Sequence, residues 1–526
     1  MDYQTKAAHT GGFFVKPLVY GPHGSSCIIP FRVLVKSKYQ PVIGLEVHAV
    51  LETHSKMFCD CPVVDSTHHE PNVAVCPVCA GMPGVLPVIN RAAVEYALRV
   101  ALALNCQIHT TSIFARKSYF YPDLPKGYQI SQYEQPLATN GWLLLAAPEG
   151  EIRVGIRRVH IEEDTGKLTH VDKDGQRYSL VDLNRSGVPL LEIVTEPELH
   201  SVEAVRNCAY ALRSILRYVG VNSGNLEKGL LRIEPNISLR LAGSIEFGTR
   251  VEIKNLNSFR SLERSTNYEL KRQASLLEKG EAIRQQTLGW DDARGVTVPQ
   301  RTKEVAEDYR YFPEPDLPPL VVEQNWVDEI RAGLPELPHA KQTRFVRDYE
   351  LSAYDAAVLA AEREVAEFYE ATVLAAKTAD AKLAANWVTG TLFGLMNEAG
   401  TETGDLLFGH ADLAGLLDLL AEGALNPAGA RLVLGELFSK GGKPAKIMKA
   451  RGLQQVSDAK RLSVWVKQVL DQHPQQVAGY LTGNTPVFNW LFGQVVKLSE
   501  GKANPVKLRQ ELDKQIASRN LEKENH

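Results

Sequence analysis

The sequence predicts an α+β fold: a domain built on an antiparallel β-sheet, then an all-α helical domain and a small all-α tail. Three observations carry that expectation. Residues 41–52 interleave apolar Ile43, Leu45, Val47 and Ala49 with Gly44, Glu46 and His48, the period-two pattern of a half-buried strand. From about 110 to 260 the chain runs in short strand-like stretches between Gly and Pro turns. After Pro335 it becomes Ala- and Leu-rich, and stretches such as AAVLAAEREVAEFYEATVLAA repeat apolar residues at helical spacing.

Taken in order, residues 1–38 hold five basic residues and one acid and read as an N-terminal extension. Their acid-poor character also suits an organelle transit segment. No charged and then apolar leader opens the chain, so secretion is not expected. After the strand at 41–52, residues 90–104 form a helix that Asn90 starts as N-cap. Further helices are expected at 201–219 and 258–280, and Pro313–Pro319 separates this part from the helical remainder. The expected domains are residues 39–328, with a metal loop at 57–84, then 329–440 and 441–526.

With 526 residues, 44% of them apolar, the chain can fill several globular cores and is not a disordered polyelectrolyte. No apolar run reaches the roughly 18 residues of a membrane span. The net charge of −3, from 59 basic and 62 acidic residues, taken alone argues against a nucleic-acid partner. That average hides two opposed regions. Residues 441–526 hold 14 basic and 7 acidic residues, giving +7, so the first 440 residues carry −10. The tail therefore has a basic field of its own.

Seven scattered cysteines do not make a disulfide framework, and a reducing, cytoplasmic setting is expected. Four of them form a C-x-C and a C-x-x-C pair: Cys59 and Cys61, then Cys76 and Cys79 after 14 intervening residues. Four thiolates at this spacing suit tetrahedral zinc, and full ligation by protein makes the site structural. The alternative is four reduced, unbound thiols.

Acids also recur where a fold alone has no use for them. Glu46 and His48 share one strand face. HIEEDTGK places Glu162, Glu163 and Asp164 in succession; Glu192 sits inside apolar LLEIVTEP; Glu234 and Asn236 lie in LRIEPNIS. A carboxylate in an apolar strand is costly unless it is paired or binds metal. Several hard oxygen ligands suit Mg²⁺, and Mg²⁺ with carboxylates suits phosphoryl chemistry. Lys117, Arg232 and Lys254 stand near these motifs and can offset developing phosphate charge. Neither a GxxxxGK[ST] loop nor the kinase HRD and DFG motifs are present.

These motifs, GLEVH, the cysteine loop ending in GMPGVLPVIN, RKSYFYPDLPKGYQISQYEQP, HIEEDTGK, DLNRSGVPLLEIVTEP, EIKNLNSF and EDYRYFPEPDLPPL, together resemble the GatB family of tRNA amidotransferase subunits, over about Val42 to Pro505. The resemblance implies an ATP- and Mg-dependent ligase that phosphorylates the side-chain carboxylate of Glu-tRNA(Gln) or Asp-tRNA(Asn). It implies two partners in a heterotrimer: a glutaminase, and a small third protein that wraps the pair. Ammonia made by the glutaminase from glutamine would arrive through a tunnel and displace phosphate. The resemblance further implies Glu46, His48, Glu162, Glu192 and Glu234 as metal ligands, although the family often has Asp in place of Glu234. Glu163 is implied at the tunnel mouth as proton acceptor, Lys117, Arg232, Asn236 and Lys254 on nucleotide phosphates, and the tail on tRNA. The competing reading is a non-catalytic, zinc-stapled tRNA-binding scaffold.

Overall fold

The computed structural model describes residues 38–524, except residue 66, residues 148–149, residues 303–308 and residue 457. The expected N-terminal extension lies outside the described residues, apart from Lys38. The described chain divides between Ala340 and Lys341 into two compact units.

The strands of the first unit are β1 (Tyr39–Val50), β2 (Gln107–Ile108), β3 (Thr111–Ser112), β4 (Ala115–Ser118), β5 (Tyr128–Ser131), β6 (Ala138–Ala147), β7 (Gly150–Glu163), β8 (Lys167–Lys173), β9 (Gln176–Asp182), β10 (Pro189–Thr195), β11 (Leu231–Leu241), β12 (Val251–Lys254), β13 (Gln286–Asp291), β14 (Val296–Thr302), β15 (Phe312–Pro313) and β16 (Leu320–Val321). Its helices are α1 (Arg91–Ala103), α2 (Val202–Tyr218), α3 (Phe259–Glu278) and α4 (Gln324–Ala332). One sheet of nine strands runs β14-β13-β12-β11-β1-β10-β7-β6-β2. Every neighbouring pair in it is antiparallel except β12 and β13. α3 connects that parallel pair, as a same-direction return requires a crossover.

The alternation in β1 decides how this sheet sits. Ile43, Leu45, Val47 and Ala49 are buried in one core with Ala97 and Leu98 of α1, Val205 and Leu212 of α2, and Leu262 of α3. Burying each large apolar side chain is worth about 1.5–3 kcal/mol. A slip of one residue would drive Glu46 and His48 into that core, so the register is fixed. The side chains of Asn90, Ser201 and Ser258 cap α1, α2 and α3 by accepting from backbone N–H groups.

The second unit is helical, with one isolated bridge between Val456 and Ala503 among the described residues. One apolar cluster runs from Phe345 through Leu416 and Leu434 to Met448; another runs from Leu462 through Leu491 to Ile516. Residues Trp387–Leu392 are π-helical and bury Trp387, Val388 and Leu392. Gly441 ends the helix Pro427–Lys440 at φ +68°, and a Cβ there would lie 2.8 Å from the Leu407 carbonyl oxygen. Ile447 and Met448, beyond this break, still pack with the first cluster. The apolar partition therefore falls later in the chain than the charge partition. Among the described residues, no helix is long and apolar enough to cross a membrane.

Candidate active site and thiolate centre

Four adjacent strands, β11, β1, β10 and β7, gather the acids of four separate motifs. The register sets Arg232 opposite His48, His48 opposite Glu192, and Glu192 opposite His160. Directly paired residues share a sheet face, so the four side chains form a row on the face away from the apolar core. Glu46 stands opposite Glu234 on the same face, and Glu162 joins it two residues after His160. Asn236 follows two residues after Glu234, and β12 adds Glu252 and Lys254.

Glu192 is the hub of this row. Its Oε2 lies 3.2 Å from His160 Nε2 and 3.5 Å from His48 Nε2; Arg158 Nη2 approaches its Oε1 to 3.6 Å. His48 Nε2 is also 3.7 Å from Glu46 and 3.8 Å from Glu162. Burial opposes a charged His48, but the Glu192 contact and the charges of Glu192, Glu234 and Glu162 prevail and raise its pKa to about 9. Burial also opposes ionisation of Glu192, yet the two imidazoles hold it well below the usual carboxylate range. Burial and the Glu192 charge push Glu46 up.

The five ligands expected from the sequence do not form one shell. Donor atoms cluster within 4.8 Å in three overlapping groups: Glu46, His48 and Glu192; His160, Glu162 and Glu192; Glu46, Glu234 and Glu252. His160 and Glu252 complete two of these groups and were missed in the sequence. Their signal was the period-two spacing of His160 with Glu162 and of Glu252 with Lys254. The donor chemistry fits a hard divalent cation, and the buried Nδ1 of His160 has no hydrogen-bond partner among the described residues.

The basic residues divide by what they touch. Arg232 donates to Asp164 at 2.8 Å, and Arg185 lies 3.4 Å from the same carboxylate oxygen. Both cations hold Asp164 below its ordinary pKa against the cost of burial. Lys254 lies 3.1 Å from Glu234 and 3.2 Å from Glu252. Lys117, on β4, has its ammonium 5.1 Å from the Tyr309 ring centroid. Burial disfavours its charge, but Glu162, Tyr311 and Glu192 raise its pKa.

Glu163 stands apart from the row. It pairs with Lys126 and accepts from the Ile130 N–H at 2.9 Å. It lines a cavity of about 180 Å³ with Cys59, Cys79, Met82, Lys126 and Gly187.

Cys59, Cys61, Cys76 and Cys79 place their sulfurs within 4.8 Å of one another, close enough for one ion. Cys79 Sγ lies 4.0 Å from Cys61 Sγ and 3.9 Å from Cys76 Sγ, and accepts from the Cys76 N–H at 3.2 Å. The Cys59 thiol hydrogen bond, outweighing burial, lowers the Cys79 pKa, and the same bond together with burial raises that of Cys59, so without a metal one thiolate is held by its neighbour's proton. Fully buried Lys56 donates to Ala74 O at 2.7 Å, Leu183 O at 3.2 Å and Cys79 Sγ at 3.5 Å. Ser186 donates to Cys79 O, and Gly187, at φ +84°, accepts from the Met57 N–H. The thiolate loop is thereby tied to the segment that carries Arg185. The donor set fits zinc.

Residues 41–328 match the family model described as the GatB/GatE catalytic domain, and residues 367–516 match that described as the GatB domain. Fold and site thus define the sheet unit as a GatB/GatE catalytic domain. The chain belongs to the GatB family of aspartyl/glutamyl-tRNA(Asn/Gln) amidotransferase subunits. It is 48% identical to the family's representative from Moorella thermoacetica over 468 residues, 89% of this chain and 98% of the relative. The relative from Roseiflexus castenholzii, of the same name, is 48% identical over 484 residues, 91% of this chain and 99% of its own. That from Caldicellulosiruptor saccharolyticus is 47% identical over 484 residues, 91% and 100%.

Proposed function

We propose that this chain is the catalytic synthetase component of a glutamine-dependent tRNA amidotransferase, a carbon–nitrogen ligase of translation. It acts on Glu-tRNA(Gln) or Asp-tRNA(Asn) and works with a glutaminase and a small third protein in a heterotrimer. The observation that carries the reading is the Arg232–His48–Glu192–His160 row flanked by Glu46, Glu162 and Glu234 on the sheet face away from the apolar core.

A carboxylate is a poor electrophile until it is phosphorylated, and phosphorylation brings two anions together. The side-chain oxygen of the charged amino acid attacks the γ-phosphorus of ATP, and ADP leaves. Ammonia then attacks the acyl carbon and inorganic phosphate leaves. Mg²⁺ bound to Glu46, His48, Glu162, Glu192 and Glu234, with His160 and Glu252 beside them, would supply charge neutralisation for the phosphoryl group. Lys117 has no tight ion pair among the described residues and is the best placed cation for a phosphoryl oxygen. Lys254 and Asn236 flank the row beside Glu234, and Arg232, which also pairs with Asp164, is a further cation for the nucleotide phosphates. Glu163, on the cavity beside the thiolate loop, takes the proton that the attacking ammonia must lose. Structural zinc on Cys59, Cys61, Cys76 and Cys79 would hold that cavity's wall.

Co-expression with a candidate glutaminase and a candidate small third protein tests the reading. Amidation of Glu-tRNA and Asp-tRNA is measured separately, with and without ATP and Mg²⁺. Mg-dependent ATP cleavage that survives Glu192→Ala would favour the scaffold reading instead.

A further inference from the structure

Arg232 shares a sheet face with Glu46, Glu162, Glu192 and Glu234, yet it makes its ion pair with none of them. It stands on β11, and Asp164 follows the last residue of β7, with β1 and β10 between those two strands. Arg232 Nη2 nevertheless donates to Asp164 Oδ2 at 2.8 Å. Among the described residues this is the one ion pair of the guanidinium. The Asp164 charge, against burial, does most to raise the Arg232 pKa, and the charges of Glu234 and Glu162 add to it. The buried Nε of Arg232 has no hydrogen-bond partner among the described residues.

Asp164 is itself fixed on every side. It is buried, and its Oδ1 accepts from the Thr165 N–H at 2.9 Å. Its own N–H donates to Val188 O at 2.8 Å, and its carbonyl accepts from the Gly187 N–H at 2.9 Å. Arg185 Nε comes within 3.4 Å of Oδ2 while the same guanidinium donates to the carbonyls of Thr165 and Gly166. Residues 183–188, which lead into β10, are bound on their other side to the thiolate loop. Fully buried Asn184 accepts from the Ala74 N–H at 2.9 Å and donates to Glu70 O at 2.8 Å, beside the bonds of Lys56 and Ser186. A buried carboxylate needs its charge met, and Arg185 from the adjoining turn meets it. The second cation, drawn from β11, is more than charge balance requires.

We propose that Asp164 is a positioning residue: held by Arg185 and the turn 183–188, it ties Arg232 away from Glu162 and Glu234, so that these carboxylates stay free for a divalent cation. This deepens the reading of the row as a cation site and rests on it. Without the Asp164 charge, the anions left to Arg232 on that face are the ligands themselves. A guanidinium donating to a carboxylate occupies the oxygens that a metal would take.

The test is the Mn²⁺ affinity of the full-length chain, measured by titration for wild type, Asp164→Asn, Arg185→Gln, Arg232→Ala, and each of the first two variants combined with Arg232→Ala. Asp164→Asn keeps the shape and removes the charge. It is expected to weaken Mn²⁺ binding about 10- to 100-fold, the range for groups that act on a metal site from outside it. Arg185→Gln is expected to act in the same direction less strongly, and it carries the test if Asp164→Asn does not fold. Adding Arg232→Ala is expected to return both to the wild-type affinity or above, because the competing cation is gone. A merely structural role for Asp164 would instead leave each double variant at least as weak as its single parent. That result would overturn the proposal, as would unchanged affinity in both Asp164→Asn and Arg185→Gln. A wild-type chain that binds no Mn²⁺ would remove the cation-site reading itself, and the proposal with it.

Discussion

Glu192 and His160 face each other across β10 and β7 with Oε2 and Nε2 3.2 Å apart. The same oxygen is 3.5 Å from His48, so one carboxylate joins two of the three donor groups. Glu192→Ala removes a ligand from both groups and leaves two imidazoles without their anion. Titration with Mn²⁺ is expected to show a loss of affinity of about 100-fold or more, and amidation should fall with it. His160→Asn should cost about 10- to 100-fold, the range for groups that orient or complete a metal site. Metal affinity unchanged in both variants would exclude the row as the cation site.

The pKa of His48 gives a pH signature in metal-free protein. It is about 9 in the fold, against an ordinary value of 6.5. Folding therefore favours the proton. The stabilisation is fully present below pH 6.5 and is lost as pH rises through 9. The shift corresponds to about 3 kcal/mol. Thermal denaturation in chelator should show Tm falling between pH 6.5 and 9, and His48→Gln should flatten that slope. Since a metal needs the neutral imidazole, Mn²⁺ affinity should rise over the same interval.

Lys56 ties the thiolate loop to the segment of Leu183 with three hydrogen bonds from a fully buried ammonium. Lys56→Met leaves the buried Ala74 carbonyl without this donor and the Cys79 thiolate without its cation, while Leu183 O keeps the Ser186 N–H. The expected cost is about 3 kcal/mol or more in stability. Cys79→Ser should abolish stoichiometric zinc in the purified chain. Zinc retained in Cys79→Ser, measured by elemental analysis, would place the metal elsewhere.

The tail should carry tRNA affinity through its charge. A chain ending after Leu453 keeps Ile447 and Met448 in the preceding apolar cluster and removes the cluster that begins at Leu462. It is expected to bind tRNA more weakly, with a shallower dependence of log K on log salt. An unchanged salt slope would assign the tRNA contacts to the chain up to Leu453 and not to the tail.

The sequence alone determined the α+β class, the strand at 41–52, the helix that Asn90 starts, the helices at 201–219 and 258–280, and the residue types of both candidate centres. These are local properties: a period of two or 3.6, a capping side chain, a spacing between cysteines. It also revealed the opposed charges of body and tail, because counting needs no fold. Pairing was beyond it. Only the register of β11, β1, β10 and β7 decides that Arg232, His48, Glu192 and His160 make one row, and that His160 and Glu252 belong with the acids. Asp164 and Arg232 are 68 positions apart in the chain, and nothing local marks them as a pair. The physical reason is that the apolar core fixes strand register over the whole sheet, while each polar side chain on the opposite face takes its neighbours from strands remote in sequence.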